Sequence, residues 1–145
     1  MVTSGTECRR YGTATDDAHH YLDADDAART GQPVFTAGRG FVMVHSALDP
    51  GAIRAALLGG DFYASNGVLL NRAEVVNGTL RIDVAEASRG PHVFRFIGTG
   101  GKALLQATGR SAGFVLARAP PGYVRAVVED GQGRKAWIQP IRVPP

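Results

Sequence analysis

Apolar residues change their spacing near Gly40, and the change divides the chain. Before that point they are sparse, and aspartates at 16, 17, 23, 25 and 26 set the character of the segment. A short strand is expected around Arg10 to Ala14, running into the loop Thr15-Asp16-Asp17-Ala18-His19-His20. Tyr21 to Thr30 is polar and lacks the glycine and closing glutamate of a calcium loop, so it reads as a solvated loop or a short turn of helix. Gly31-Gln32-Pro33 then breaks regular structure.

From Gly40 the pattern becomes that of a folded core. Phe41-Val42-Met43-Val44 is a continuous apolar run, the mark of a strand buried on both faces or of an edge drawn into a core. Asp49-Pro50 opens a helix over 50–58, with aspartate as N-cap and proline at the first helical position. Ile53, Ala56 and Leu57 form its apolar face, and Gly59-Gly60 ends it.

Beyond the helix every segment reads as β. Phe62 to Ser65 is a strand closed by the turn Asn66-Gly67, and Val68 to Val76 leads to a second such turn, Asn77-Gly78. Strict alternation puts Leu80, Ile82 and Val84 on one face of a strand with one wet side, and His92, Phe94 and Phe96 on one face of the next. Strands follow at Ala103 to Leu105, at Gly113 to Ala117 and at Tyr123 to Glu129, where Val124, Ala126 and Val128 face inward. A hairpin through Asp130-Gly131 and Gly133 returns along Lys135 to Gln139, and Ile141 to Val143 forms the last strand. Short strands joined by glycine-rich turns define a mainly β fold, an antiparallel β-sandwich with one short helix. The expected organisation is an N-terminal segment of residues 1–39 and a sandwich of residues 40–145.

Composition narrows the function. At 145 residues the chain buries roughly 70% of its unfolded surface, enough for one core. Its charge of +3 and pI of about 9.4 invite a nucleic-acid role, but the arginines are scattered, with Arg9-Arg10 and Arg134-Lys135 as isolated basic pairs and no basic run, so none is assigned. There is no apolar run of membrane-spanning length and no signal-peptide core after Met1, which sets the expectation of a soluble chain, cytoplasmic if Met1 is the true start. A single cysteine, Cys8, excludes an internal disulfide and a cysteine-based zinc site, and packing is its expected role.

The chemistry concentrates at Asp17 and His19. Two apart on extended backbone, they would point to one side and offer an oxygen and a nitrogen to one divalent cation. Taken alone, most such triplets are solvated acidic loops with an incidental histidine. His45 and His92 stand in strand patterns, where a hydrogen-bonded structural histidine is expected. Phe62 and Tyr63 read as core or interface aromatics, and Phe62 as core. Trp137 alternates with Lys135 and Gln139 on the wetter face, where it could anchor a partner. Ser65 is not in a nucleophile elbow, and Gly98 to Gly101 precedes a strand rather than a helix, so it reads as a hairpin and not a phosphate cradle.

Several segments in this order carry a resemblance: Tyr11 through Tyr21, then "DPGAIRAALLGG", "DFYASNGVLL", "FRFIGTGGKALL" and "GYVRAVVEDGQGRKAWIQP". Together, from about Arg10 to Ile141, they resemble the C-terminal portion of PHP-superfamily metallohydrolases of the CehA/McbA type. The resemblance implies that residues 1–39 are the end of a (β/α) barrel carrying an Asp-x-His loop, and that the sandwich follows it. It implies Asp17 and His19 as metal ligands and Asp16 as a neighbour orienting a ligand or the attacking water. His20 matches a position without an assigned role. The implied cofactors are divalent ions (Zn, Mn or Fe), the implied substrate is a phosphoester or ester attacked by metal-activated water, and the implied partner is a PHP barrel packed against the sandwich. The family's earlier ligands, including a His-x-His pair, have no counterpart in this sequence. The isolated chain is therefore expected to be an incomplete and inactive part of a hydrolase. The other expectation is a non-catalytic accessory sandwich for partner binding or assembly.

Overall fold

The alternating positions of the sequence become the two facing surfaces of a sandwich. In the computed structural model, which describes residues 10–21, 24–31 and 33–145, nine strands form two antiparallel sheets. Cys8, Leu22, Asp23 and Gln32 lie outside the described residues. A six-residue helix α1 (Ala24–Arg29) precedes the first strand β1 (Phe41–Val44) and the main helix α2 (Pro50–Gly59). The strands β2 (Phe62–Ser65), β3 (Leu70–Val76), β4 (Thr79–Val84), β5 (His92–Gly98), β6 (Ala103–Gly109), β7 (Ser111–Val115), β8 (Gly122–Asp130) and β9 (Lys135–Val143) follow. One sheet has the order β1-β2-β9-β8-β5-β6, the other β3-β4-β7.

Period-two alternation fills the space between them. Leu80 and Ile82 of β4, Phe94 and Phe96 of β5, and Val124, Ala126 and Val128 of β8 are all fully buried, as their spacing requires. Phe114 of β7 stacks on Phe96 with ring centroids 5.6 Å apart and so ties the small sheet to the large one. Each such aromatic contributes on the order of 1.5–3 kcal/mol by leaving water. Tyr63 joins the same core, its hydroxyl accepting from the Leu70 amide at 2.9 Å. Phe62 is buried on the opposite side of its strand.

Helix α2 has the caps its sequence specifies. Asp49 is extended (φ −143°) and its carboxylate accepts from the Ala52 amide at 2.8 Å, while Gly60 ends the helix in the left-handed region (φ 84°). Its expected apolar face is only partly covered. Ala56 is buried and Ile53 half-buried, but Leu57 is 37% exposed, as the helix meets the sheet chiefly at the edge strand β1.

Four other expectations are corrected. No strand forms at Arg10 to Ala14. Asn66-Gly67 does not close a hairpin, because β2 pairs with β1 and β9 while β3 belongs to the other sheet. The strand expected at Gly113 to Ala117 begins at Ser111 and stops at Val115, where a 3₁₀ turn (Leu116–Arg118) takes over. The two strands expected on either side of Pro140 are one strand, β9. It tolerates the proline because β2 pairs with β9 only through Ala136 to Ile138, and the β8–β9 register shifts opposite residues 139 and 140.

Candidate functional site

The Thr15–His20 loop is held by its own first carboxylate. Asp16 Oδ2 accepts from the Gly38 amide at 2.6 Å and Oδ1 from the Ala18 amide at 3.2 Å. The Gly38 amide, with the Ala18 amide beside it, holds the Asp16 carboxyl below the usual carboxylate range. Both oxygens are thus committed to the main chain, and Asp16 shapes the loop that carries the next three polar residues.

Asp17 departs from the expected geometry. Its φ of 51° is left-handed, so the period-two argument that placed its side chain beside that of His19 on extended backbone does not apply. Both residues are exposed. Aspartate is among the residues that adopt this conformation most readily, and the reversal it makes brings its carbonyl back to the histidine. His19 Nδ1 lies 2.6 Å from the Asp17 carbonyl oxygen. That oxygen can only accept, so Nδ1 carries the proton, and in the neutral ring Nε2 keeps its lone pair.

His20 has the opposite assignment. Its Nδ1 accepts from the Phe35 amide at 3.2 Å, so neutral His20 carries its proton on Nε2 and offers no lone pair there. The amides of His19 and His20 both donate to the Phe35 carbonyl, at 3.1 and 3.0 Å, and the His19 ring stacks on Phe35 with centroids 4.8 Å apart. Arg39 lies over the other part of this stack, 5.8 Å from the Phe35 centroid. Sequence reasoning passed over Phe35, Gly38 and Gly40, since a phenylalanine and two glycines in an irregular stretch carry no periodic signal.

Close approach fastens the loop to the sandwich. A Cβ on Gly40 would lie 2.5 Å from the Thr15 carbonyl oxygen. Gly40→Ala is therefore expected to lift the loop at a cost of about 1 kcal/mol, at the low end of the usual overpacking range. Amide exchange faster by roughly fivefold at Ala18 and Gly38, with β8 unchanged, is the outcome to check. Further back, Gly12 donates to Gln139 Oε1 at 2.9 Å and accepts from Gln139 Nε2 at 2.7 Å. The Gln139 side-chain amide takes the place of a strand partner for a segment that forms no strand. Tyr11 packs edge-on against Phe62 and donates from its hydroxyl to the Gly59 carbonyl at 2.8 Å.

Among the described residues no group of three or more His, Cys, Asp or Glu is placed to hold a metal ion. A catalytic ion needs at least three protein ligands, so Asp17 and His19 do not make such a site by themselves. His45 follows β1, exposed, with its amide on the Asp61 carbonyl at 2.9 Å. His92 is buried in the core with neither ring nitrogen hydrogen-bonded among the described residues, contrary to the hydrogen-bonded role expected of it. No helix among the described residues is long and apolar enough to cross a membrane.

The second feature is a cavity of about 1200 Å³ on the outer face of the six-stranded sheet, roofed in part by residues 10–15. Trp137, half-buried, lines it together with Tyr123 and Arg125. Comparisons with protein-family models, with curated proteins and with solved structures gave no match.

Proposed function

We propose that this chain is the C-terminal portion of a PHP-type metal-dependent hydrolase of phosphoesters or esters, contributing Asp17 and His19 to a centre whose other ligands lie outside the described residues. The observation that carries this reading is the hydrogen bond from His19 Nδ1 to the Asp17 carbonyl. A metal-ligating histidine characteristically donates its second ring nitrogen to a carbonyl or carboxylate, which fixes the tautomer and leaves the other nitrogen to the ion. His19 has that arrangement and is exposed, whereas His20 has the reverse tautomer. Asp16 supports the pair by holding the loop. The sandwich behind it serves as the accessory domain.

Manganese titration followed by NMR tests this without reference to activity. Mn²⁺ is expected to broaden the resonances of Asp17 and His19 first, weakly, as befits two ligands. Asp17→Asn or His19→Gln should reduce the effect at least tenfold, and His20→Gln should not. Broadening centred on His20 or on Asp25 and Asp26, or none near the loop, would overturn the assignment.

A second reading, an accessory sandwich that binds a partner without taking part in a metal centre, is favoured by one observation. Trp137 stands half-buried on the outer sheet face, beside a cavity instead of inside the core. Loss of the manganese effect at Asp17 and His19 would leave this second reading in place.

A further inference from the structure

The outer face of the six-stranded sheet balances its charges unevenly. Arg95 of β5 pairs with Glu129 at 2.6 Å, and Lys135 approaches the same carboxylate at 3.9 Å. Arg125 is the next arginine on that face, with Ile97 opposite it on β5. It is half-buried, and among the described residues its guanidinium makes no hydrogen bond or ion pair. A guanidinium partly withdrawn from water presents its donors in a fixed fork that matches a carboxylate or phosphate. Among the described residues nothing fills that fork.

Arg125 lines the cavity described above, together with Tyr123, Trp137 and a second arginine, Arg142, across from Tyr123 on β9. Residues 123, 125 and 127 of β8 share one face, and Trp137 lies directly across from Val127. Tyr123 and Trp137 therefore flank the guanidinium along and across the strands. Tyr11 and the exposed Arg10 contribute from the segment that roofs the cavity. One carboxylate, Asp61, also lines it; it is exposed and makes no ion pair with Arg125. The volume, about 1200 Å³, exceeds that of ordinary small-molecule pockets.

We propose that this cavity binds a small organic anion in which a carboxylate or phosphate is attached to a ring, with Arg125 taking the charged group and Trp137 the face of the ring. The anion supplies the acceptors Arg125 lacks, and the ring covers apolar surface that the roof segment leaves open. The inference does not depend on the metal-ligand reading, because none of Asp16, Asp17 and His19 lines the cavity.

Trp137 is the sole tryptophan of the chain, so its emission reports directly on occupancy. The intact chain would be titrated with glucose 6-phosphate and with cyclohexanecarboxylate, which leave tryptophan excitation clear, and with glucose and cyclohexylmethanol as uncharged counterparts. Saturable change with at least one anion, and none with its counterpart at equal concentration, is the expected result; which anion acts identifies phosphate or carboxylate as the preferred group. Arg125→Gln should weaken binding roughly 10- to 100-fold, the span of a charge-assisted hydrogen bond, while Arg118→Gln on the remote 3₁₀ turn should not. If Arg125→Gln does not fold, Arg125→Lys keeps the charge without the fork and should still weaken binding several-fold. No saturable change with either anion up to about 10 mM, or equal affinity in the wild type and the Arg125 variant, overturns the proposal.

Discussion

Replacing Asp130 by alanine is expected to lower the stability of the sandwich by about 3 kcal/mol, measured by urea unfolding at pH 7. The residue ends β8 and its side chain is only 2% exposed. Its carboxylate accepts from the Gln132 amide at 2.8 Å, the Arg134 amide at 3.0 Å and Arg134 Nε at 2.7 Å, which together set the hairpin into β9. Alanine removes all three bonds at once and leaves the turn without the acceptor around which it is built. Burial pushes the carboxyl up, but Arg134 and the two amides outweigh it and hold the group below the usual carboxylate range. The sign of the pH dependence follows. The unfolded carboxyl titrates near 4 and the folded one lower, so the contribution is complete above about pH 4 and is lost as pH falls through the folded value. Glu129, lowered by its bond to Arg95, adds in the same direction. Asp130→Asn should therefore be less stable than wild type at pH 7, with the gap narrowing toward pH 3. A variant within about 0.5 kcal/mol of wild type at pH 7 would show that the hairpin holds without the carboxylate.

The core was legible because its signal is strictly periodic. Leu80-x-Ile82-x-Val84 and Val124-x-Ala126-x-Val128 can bury one face of a strand in only one way, and both are buried as expected. The same holds for the helix caps, where Asp49 and Gly60 each satisfy a local requirement. Turn chemistry was legible only in part. At Asn77-Gly78 both residues have positive φ, 49° and 72°, the combination a tight hairpin needs, and β3 pairs with β4. At Asn66-Gly67 only the glycine does, and the chain crosses to the other sheet while the Asn66 side chain accepts from the Lys135 amide at 2.5 Å. A dipeptide specifies that the chain turns; which strand receives it depends on contacts some 70 residues away. Pro140 misled for a related reason, since nothing local shows that β2 stops short of it.

The Asp-x-His loop was legible as residue types but not as geometry. Its shape comes from Gly38, Phe35 and Gly40, about 20 residues downstream, and from the left-handed turn at Asp17. Extended backbone would have set Asp17 and His19 side by side as equal candidates. The observed backbone gives them different parts: Asp17 uses its carbonyl to fix the His19 tautomer and keeps its carboxylate exposed. The difference between His19 and His20 likewise rests on whether the nearest main-chain group is a carbonyl or an amide, which no sequence pattern encodes.

His92→Leu is expected to stabilise the protein by about 1–3 kcal/mol, the cost of leaving buried polar atoms unpaired. His92 is fully buried at the start of β5, in line with Phe94 and Phe96, and neither ring nitrogen has a hydrogen-bond partner among the described residues. Its cross-strand neighbours do not help. Gly109 has no side chain, and the Asp130 oxygens are turned to the hairpin amides and Arg134 rather than to the imidazole. Leucine has similar bulk and no polar atom, so the substitution removes the penalty without opening a large void. His92→Ala separates the two effects, because it also removes the polar atoms but leaves a cavity, and should be destabilising by a few kcal/mol. A rise in the urea midpoint for leucine with a fall for alanine is the outcome to look for. Loss of stability in both variants would mean that the imidazole has a partner, most simply an ordered water bridging it to a neighbouring carbonyl, and that position 92 is chosen for that bridge.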